Sequence, residues 1–201
     1  MFKVSLEGIV MGEIALYPSS HHVLPGGRAD IKIAEERYHR MLKESLAGKR
    51  CLALCMLNEP EVDHAIKTIP AIVTLCDVIN FDMHSNGVLS ITIEGSQKVR
   101  LLGVSIEHDG LFHGEYTTIA NWSSQPLRAP HIDLAEKLDF LFQTMPEVGT
   151  LYPSPEMSDL SWVCQRWIEI LPLEVHYKQL LITQDTPMLT VRFLHKLFQL
   201  K

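Results

Sequence analysis

Residues 16–38, LYPSSHHVLPGGRADIKIAEERY, hold two changes of period within a short span, and few folds accommodate that order of parts. An apolar strand end stops at Pro18-Ser19-Ser20. A loop closes on Pro25-Gly26-Gly27, an alternating run follows from Arg28 to Ile33, and Glu35-Glu36-Arg37-Tyr38 opens a helix. Pro25 fixes φ and the two glycines permit positive φ, so the chain reverses tightly between two strands. A glycine pair can also cradle phosphate, but no P-loop Lys and Ser/Thr follow it. From Ala34 onward Tyr38, Met41, Leu42 and Ser45 recur at helical spacing, and Gly48 ends that helix. Glu35 and Glu36 fall in its first turn, where the helix dipole favours negative charge.

The flanking segments read as strands. Phe2, Val4 and Leu6 alternate on one face, and Ile14 and Leu16 belong to a second short strand. Residues 50–57 place Leu52 and Leu54 on one face and Cys51, Ala53 and Cys55 on the other. Cys51 and Cys55 would lie about 13 Å apart along that strand, too far for one zinc ion to bridge. A polar, Pro60-bearing loop spans residues 58–67, and a β-branched run continues to Phe81. Asn86-Gly87 supplies a favoured hairpin turn, and residues 88–94 alternate as a half-exposed strand should. After Gly95-Ser96-Gln97 a further strand starts with Val99 and Leu101 inward, then switches parity to Val104 and Ile106, which calls for a bulge near Leu102-Gly103. Asp109-Gly110 marks another hairpin.

Beyond the polar connector 121–130 every apolar pattern is helical. Ala135, Leu138, Phe142 and Met145 form one stripe that Pro146 stops, and residues 147–156 read as a loop. Ser158-Asp159 supplies an N-cap for an amphipathic helix with Leu160, Val163, Cys164, Trp167, Ile168 and Leu171 on one side. Pro172 separates this from residues 173–183. Asp185-Thr186-Pro187 starts a last helix with Val191, Leu194, Leu197 and Phe198 inward. The fold class is therefore α+β: a β-rich lobe over 1–120, a connector over 121–130 and a helical bundle over 131–201.

Charge and composition narrow the function. A net charge of −6 offers no broad basic surface to a phosphate backbone. No apolar run approaches the ~20 residues of a membrane-spanning helix, and the N-terminus lacks a signal-peptide pattern. Four cysteines in segments that read as packed suit free thiols in a reducing cytoplasm. His21-His22 lacks a third ligand at a recognisable spacing, and the ten histidines are scattered, so no metal, cofactor or acid–base constellation is expected.

The order strand, Pro-Gly-Gly turn, strand, helix entry resembles the start of the Lon protease N-terminal domain family. The likeness continues through Ala71-Ile72-Val73 to Phe81, Asn86-Gly87-Val88-Leu89, Ile91, Ile93, Gly95 and Lys98-Val99-Arg100. It resumes at Trp162, Arg166, Trp167, Glu169, Leu171-Pro172-Leu173, Lys178-Gln179-Leu180-Leu181, Asp185, Arg192, Phe193 and Leu197. The chain departs from the pattern at Pro70-Ala71, where the family carries a glycine, and at Val99, where it carries an aromatic.

The resemblance implies a partly open, PUA-like pseudo-barrel followed by a helical bundle. It further implies a non-catalytic module that binds unfolded or exposed apolar polypeptide segments, with no nucleotide-hydrolysing or Ser-Lys peptidase machinery. Grooves between such lobes are where extended peptides dock. Trp122 and Tyr152 are the aromatics placed to line one; sealing an interface is the competing role for both. Arg28, Arg37 and Tyr38 fall in the part most like the family, and Arg37 reads first as an ion pair tying helix to sheet. The rival from another class is an RNA-binding PUA-like module, which the acidic balance disfavours.

Overall fold

The computed structural model describes residues 3–4, 10–57, 69–83 and 88–199. The expected loop at 58–67, the Asn86-Gly87 turn and the first strand's Phe2 and Leu6 lie outside the described residues. The chain divides into two compact units, Met1–Ala120 and Asn121–Lys201.

Among its described residues the first unit is a seven-stranded sheet with one helix. Its elements are β1 (Lys3–Val4), β2 (Val10–Ser19), β3 (Arg28–Ile33), α1 (Glu36–Leu46), β4 (Cys51–Met56), β5 (Ile72–Met83), β6 (Leu89–Ile106) and β7 (Phe112–Thr118). β2 runs parallel to β4, β5 and β6 follow antiparallel, and β7 pairs with both β6 and β2. Those pairings close a ring, β2-β4-β5-β6-β7, while β3 hangs on the first half of β6. The expected pseudo-barrel is thus present.

Two apolar clusters lie on opposite sides of the ring's wall. Ile14, Leu16, Ala53, Cys55, Val73, Val99 and Tyr116 fill one; Leu52, Leu54, Cys76, Ile91 and Ile93 meet Tyr38, Met41 and Leu42 of α1 in the other. β4 is buried on both faces, as its apolar run of alternating parity requires.

β6 serves both clusters. Residues 89–106 form one continuous strand, where the sequence suggested two strands separated at Gly95-Ser96-Gln97. Cys76 pairs with Gly95 but Leu75 pairs with Gln97, so Ser96 is a bulge instead of a break. The extra residue flips the parity. Ile91 and Ile93 face the α1 cluster, while Val99 and Leu101, also odd-numbered, face the ring interior. A second bulge, where Leu101 pairs with Tyr116 and Gly103 with Glu115, matches the shift expected near Leu102-Gly103.

Pro18 does not end β2 as expected. The Ser19 carbonyl accepts from the Leu57 N–H (2.9 Å), so alternation turns the nitrogen of Pro18 to the opposite flank. There β7 has already ended, at Phe112 opposite Leu16, and no ladder bond is lost.

The second unit holds a 3-10 turn at Ala129–His131 and five helices: α2 (Ile132–Thr144), α3 (Pro146–Gly149), α4 (Leu160–Ile170), α5 (Val175–Ile182) and α6 (Met188–Phe198). Asp159 caps α4 through the Ser161 N–H (2.8 Å) and also accepts from the Gln125 N–H (3.0 Å). Pro146 starts a short helix inside the expected loop, its missing N–H harmless at a first turn. Pro187, expected at the first helical position, sits instead at the N-cap of α6. Leu197 and Met145, expected inward, are 46% and 39% exposed. α4 differs most: residues 160–168 are buried on every side, not along one stripe.

Candidate functional site

α4 is enclosed all round because a polar knot is built into its second face. Arg166 is fully buried; its Nη2 donates to Glu169 Oε1 (2.9 Å) and its Nε lies 2.7 Å from Glu169 Oε2. The guanidinium stands 5.1 Å from the Trp162 ring centroid and 5.7 Å from that of Tyr152. Lys178 Nζ donates to the Glu169 carbonyl (2.9 Å), and burial pulls this amine down to about 8 despite the Glu169 carboxylate. Tyr152 stacks parallel on Phe142 at 5.1 Å and meets the edge of Trp162 at 5.5 Å. Sequence reasoning passed over Arg166, Glu169 and Lys178 as chemistry. Their signal was a charged residue inside an otherwise apolar helix.

Trp122, like Tyr152, is buried, and its Nε1–H donates to the Gln184 carbonyl (2.6 Å). In the first unit Arg28 pairs through Nε with Glu94 (2.6 Å), joining β3 to β6. Arg37 pairs with Glu35 (2.7 Å), donates to the Gly110 carbonyl (3.1 Å) and lies 4.9 Å from the Tyr38 ring. Tyr38 is buried with its ring 4.6 Å from Tyr17, whose hydroxyl donates to the Lys32 carbonyl (3.0 Å). Burial pushes both phenols above their ordinary range. The five residues thus occupy separate local settings, with Arg37 and Tyr38 adjoining, and each is engaged by its own unit.

Close by, α1 is anchored by ions. Arg40 Nη2 contacts both Glu107 and Asp109 and Nη1 reaches Glu44; Arg50 bridges Glu44 (2.9 Å) and Glu107 (2.6 Å). Burial alone would raise the Glu107 and Asp109 carboxyls, but hydrogen bonds from Arg40, and from Arg50 to Glu107, hold both below the usual range. All four cysteines are free, and burial pushes the Cys55 thiol up to about 12. Among the described residues no three His, Cys, Asp or Glu side chains gather as a metal site.

What the interior does not use is the far end of β5. The strand pairs with β4 only through Thr74, Leu75 and Cys76, but with β6 all the way to Met83. A bulge at Ile79 puts Val78, Phe81 and Met83 on one face, opposite Ile93, Ile91 and Leu89. Val78 packs against the α1 cluster. Ile79, Phe81 and Met83 are 45%, 50% and 65% exposed. Asn80 and Asp82 look to the other face, where they line a shallow depression with Asp30, Lys32, Ser90 and Thr92. The helical unit exposes Phe140, Tyr177 and Leu180 as well.

The described residues thus form a ring-closed sheet carrying α1, followed by a helical unit, and leave an apolar strand end exposed. The chain belongs to the ATP-dependent protease La (LON) substrate-binding domain family, whose profile matches residues 13–193. The match is to the substrate-binding domain, and no catalytic domain is part of it. Among solved structures, a Lon N-terminal domain protein from Xanthomonas campestris is similar with a TM-score of 0.69 and 22% identity. That similarity covers 90% of this chain and 96% of the other. The N-terminal domain of Mycobacterium avium complex Lon protease gives a TM-score of 0.57 at 12% identity, covering 92% and 96%. Both likenesses establish the fold. No curated protein matches the chain. Among the described residues no helix is long and apolar enough to cross a membrane.

Proposed function

We propose that this chain is a non-catalytic recognition module that binds unfolded or exposed apolar segments of other polypeptides, working in the cytoplasm. The observation that carries the proposal is the far end of β5, where Ile79, Phe81 and Met83 lie open on one short piece of strand. Single exposed apolar side chains are ordinary; a run of them continuous with a core face is the form that binding surfaces take. Membership in a substrate-binding domain family supports polypeptide as the ligand class. Arg28, Arg37 and Tyr38 support this surface from within the first unit, by fixing β3, β6 and α1, while Trp122 and Tyr152 hold the helical unit together. Four free thiols suit a reducing compartment.

The test is a titration of the purified chain with a reduced, unfolded model protein and with the same protein folded. Binding of the unfolded form alone is expected, and it should weaken in a Phe81→Ser, Met83→Ser double variant. Equal, negligible binding to both forms refutes the proposal. Tight RNA binding with a steep salt dependence would refute it in favour of a nucleic-acid module.

A further inference from the structure

We propose that the bound segment joins the sheet as an added strand along the open flank of β5 at residues 77–83, an inference that rests on the polypeptide-binding reading above. Past Cys76 no described strand pairs with β5 on the side that β4 occupies earlier, while β6 holds the other side to Met83. Backbone N–H and C=O groups alternate between flanks, so about half of those in this piece face outward. Every residue from Asp77 to Met83 except half-buried Val78 is exposed. An extended main chain is the ligand that can satisfy a row of such groups at strand spacing, and Phe81 and Met83 offer its alternate side chains apolar contact.

The sheet's terminal strand on the other path, β3, is guarded by comparison. It alternates Arg28, Asp30 and Lys32 on one face, and the Tyr17 hydroxyl occupies the Lys32 carbonyl. Among the described residues the β5 flank has no such guard.

Charge selects the occupant. Residues 77–83 contain Asp77 and Asp82 and no Lys or Arg. A second copy of this chain pairing edge to edge would bring two further carboxylates onto the same short ladder, where like charges oppose pairing. A segment in which apolar residues alternate with Lys or Arg meets opposite charge instead. The ligand class is therefore an extended, apolar, basic polypeptide segment.

The experiment uses the full chain and a short fluorescent peptide in which Val and Phe alternate with Lys, read by anisotropy. Two derivatives carry backbone N-methyl groups on alternate residues, one in each frame, and a third replaces Lys by Glu. One N-methylated frame should bind at least about tenfold more weakly than the parent, from loss of two or more main-chain hydrogen bonds, while the other frame binds like the parent. The Glu peptide should bind more weakly, and Asp82→Lys should narrow or reverse that preference.

If both N-methylated peptides bind like the parent, the contact is by side chains alone; strand addition is then wrong while apolar recognition stands. Binding of the unfolded model protein without binding of any peptide overturns strand addition in the same way. Binding of neither overturns the underlying reading too. A dimer in sedimentation that the parent peptide dissociates would assign the flank to a second copy and overturn the proposal.

Discussion

Gly95 is where a single methyl group should do the most damage to the first unit. Its N–H donates to the Gly27 carbonyl (2.8 Å) and its carbonyl accepts from the Gly26 N–H (2.7 Å), so the Pro-Gly-Gly turn is laced onto β6 at this residue. A Cβ here would collide with the Leu24 carbonyl oxygen and stand 2.9 Å from Val23 Cγ1. Leu24 and Val23 are 0% and 2% exposed, so neither can retreat into solvent. Overpacking of this kind costs about 1–3 kcal/mol. Relief by displacing the turn gives up two backbone hydrogen bonds at about 0.5–1.5 kcal/mol each. By either route Gly95→Ala should destabilise by about 1–3 kcal/mol. Urea melts followed by far-UV circular dichroism measure this; tryptophan fluorescence would not, since Trp122, Trp162 and Trp167 all belong to the other unit. Gly103→Ala is the control, because a Cβ there meets nothing within 4 Å on the same strand. The reasoning fails if the two variants melt at the same urea concentration.

Two further outcomes concern charge. Arg40→Met should destabilise by roughly 1–2 kcal/mol at low salt and by less at high salt, because Glu44 and Glu107 then share only Arg50 and Asp109 loses its ion pair with Arg40. Glu107 and Asp109 have folded pKa values lowered from their unfolded ones, so their contribution is present at neutral pH and fades as pH falls through those lowered values. The gap between wild type and Arg40→Met, measured by chemical denaturation, should narrow as pH falls below the ordinary carboxylate range. Lys178 runs the other way. Its folded value, about 8, lies below the unfolded one, so the unfolded chain binds more protons between about pH 8 and 10 and the native state gains stability as pH rises. Melts of Lys178→Met against wild type should show the variant's relative advantage shrinking from pH 7 to pH 9.5. An advantage that grows with pH contradicts the assignment.

Elements that rest on local signals were readable directly. Pro25-Gly26-Gly27 is the turn its residues require, with Gly26 at φ 71°. Asp159 caps α4, and the parity change at Leu102 is a real bulge. The Ser96 bulge escaped notice because Gly-Ser-Gln punctuates a sequence whether the strand stops or gains a residue; cross-strand register decides between the two, and it belongs to β5 as much as to β6. The enclosure of α4 was hidden for a similar reason. Periodicity registers apolar side chains, and Arg166 reaches the interior only because Glu169 and two aromatic faces meet it there. The open end of β5 was invisible as well, since Ile79, Phe81 and Met83 look like core until the pairing of β4 turns out to stop at Leu52, opposite Cys76.

β6 lends consecutive stretches of one backbone to two hydrophobic compartments, with Ser96 as the pivot. Neither compartment can be repacked by sliding that strand, since a one-residue slip would turn Ile91 and Val99 outward together. Amide exchange along its buried ladder should accordingly proceed through a single opening event, and loss or gain of one residue near position 96 should be lethal to the fold where paired compensating changes are not.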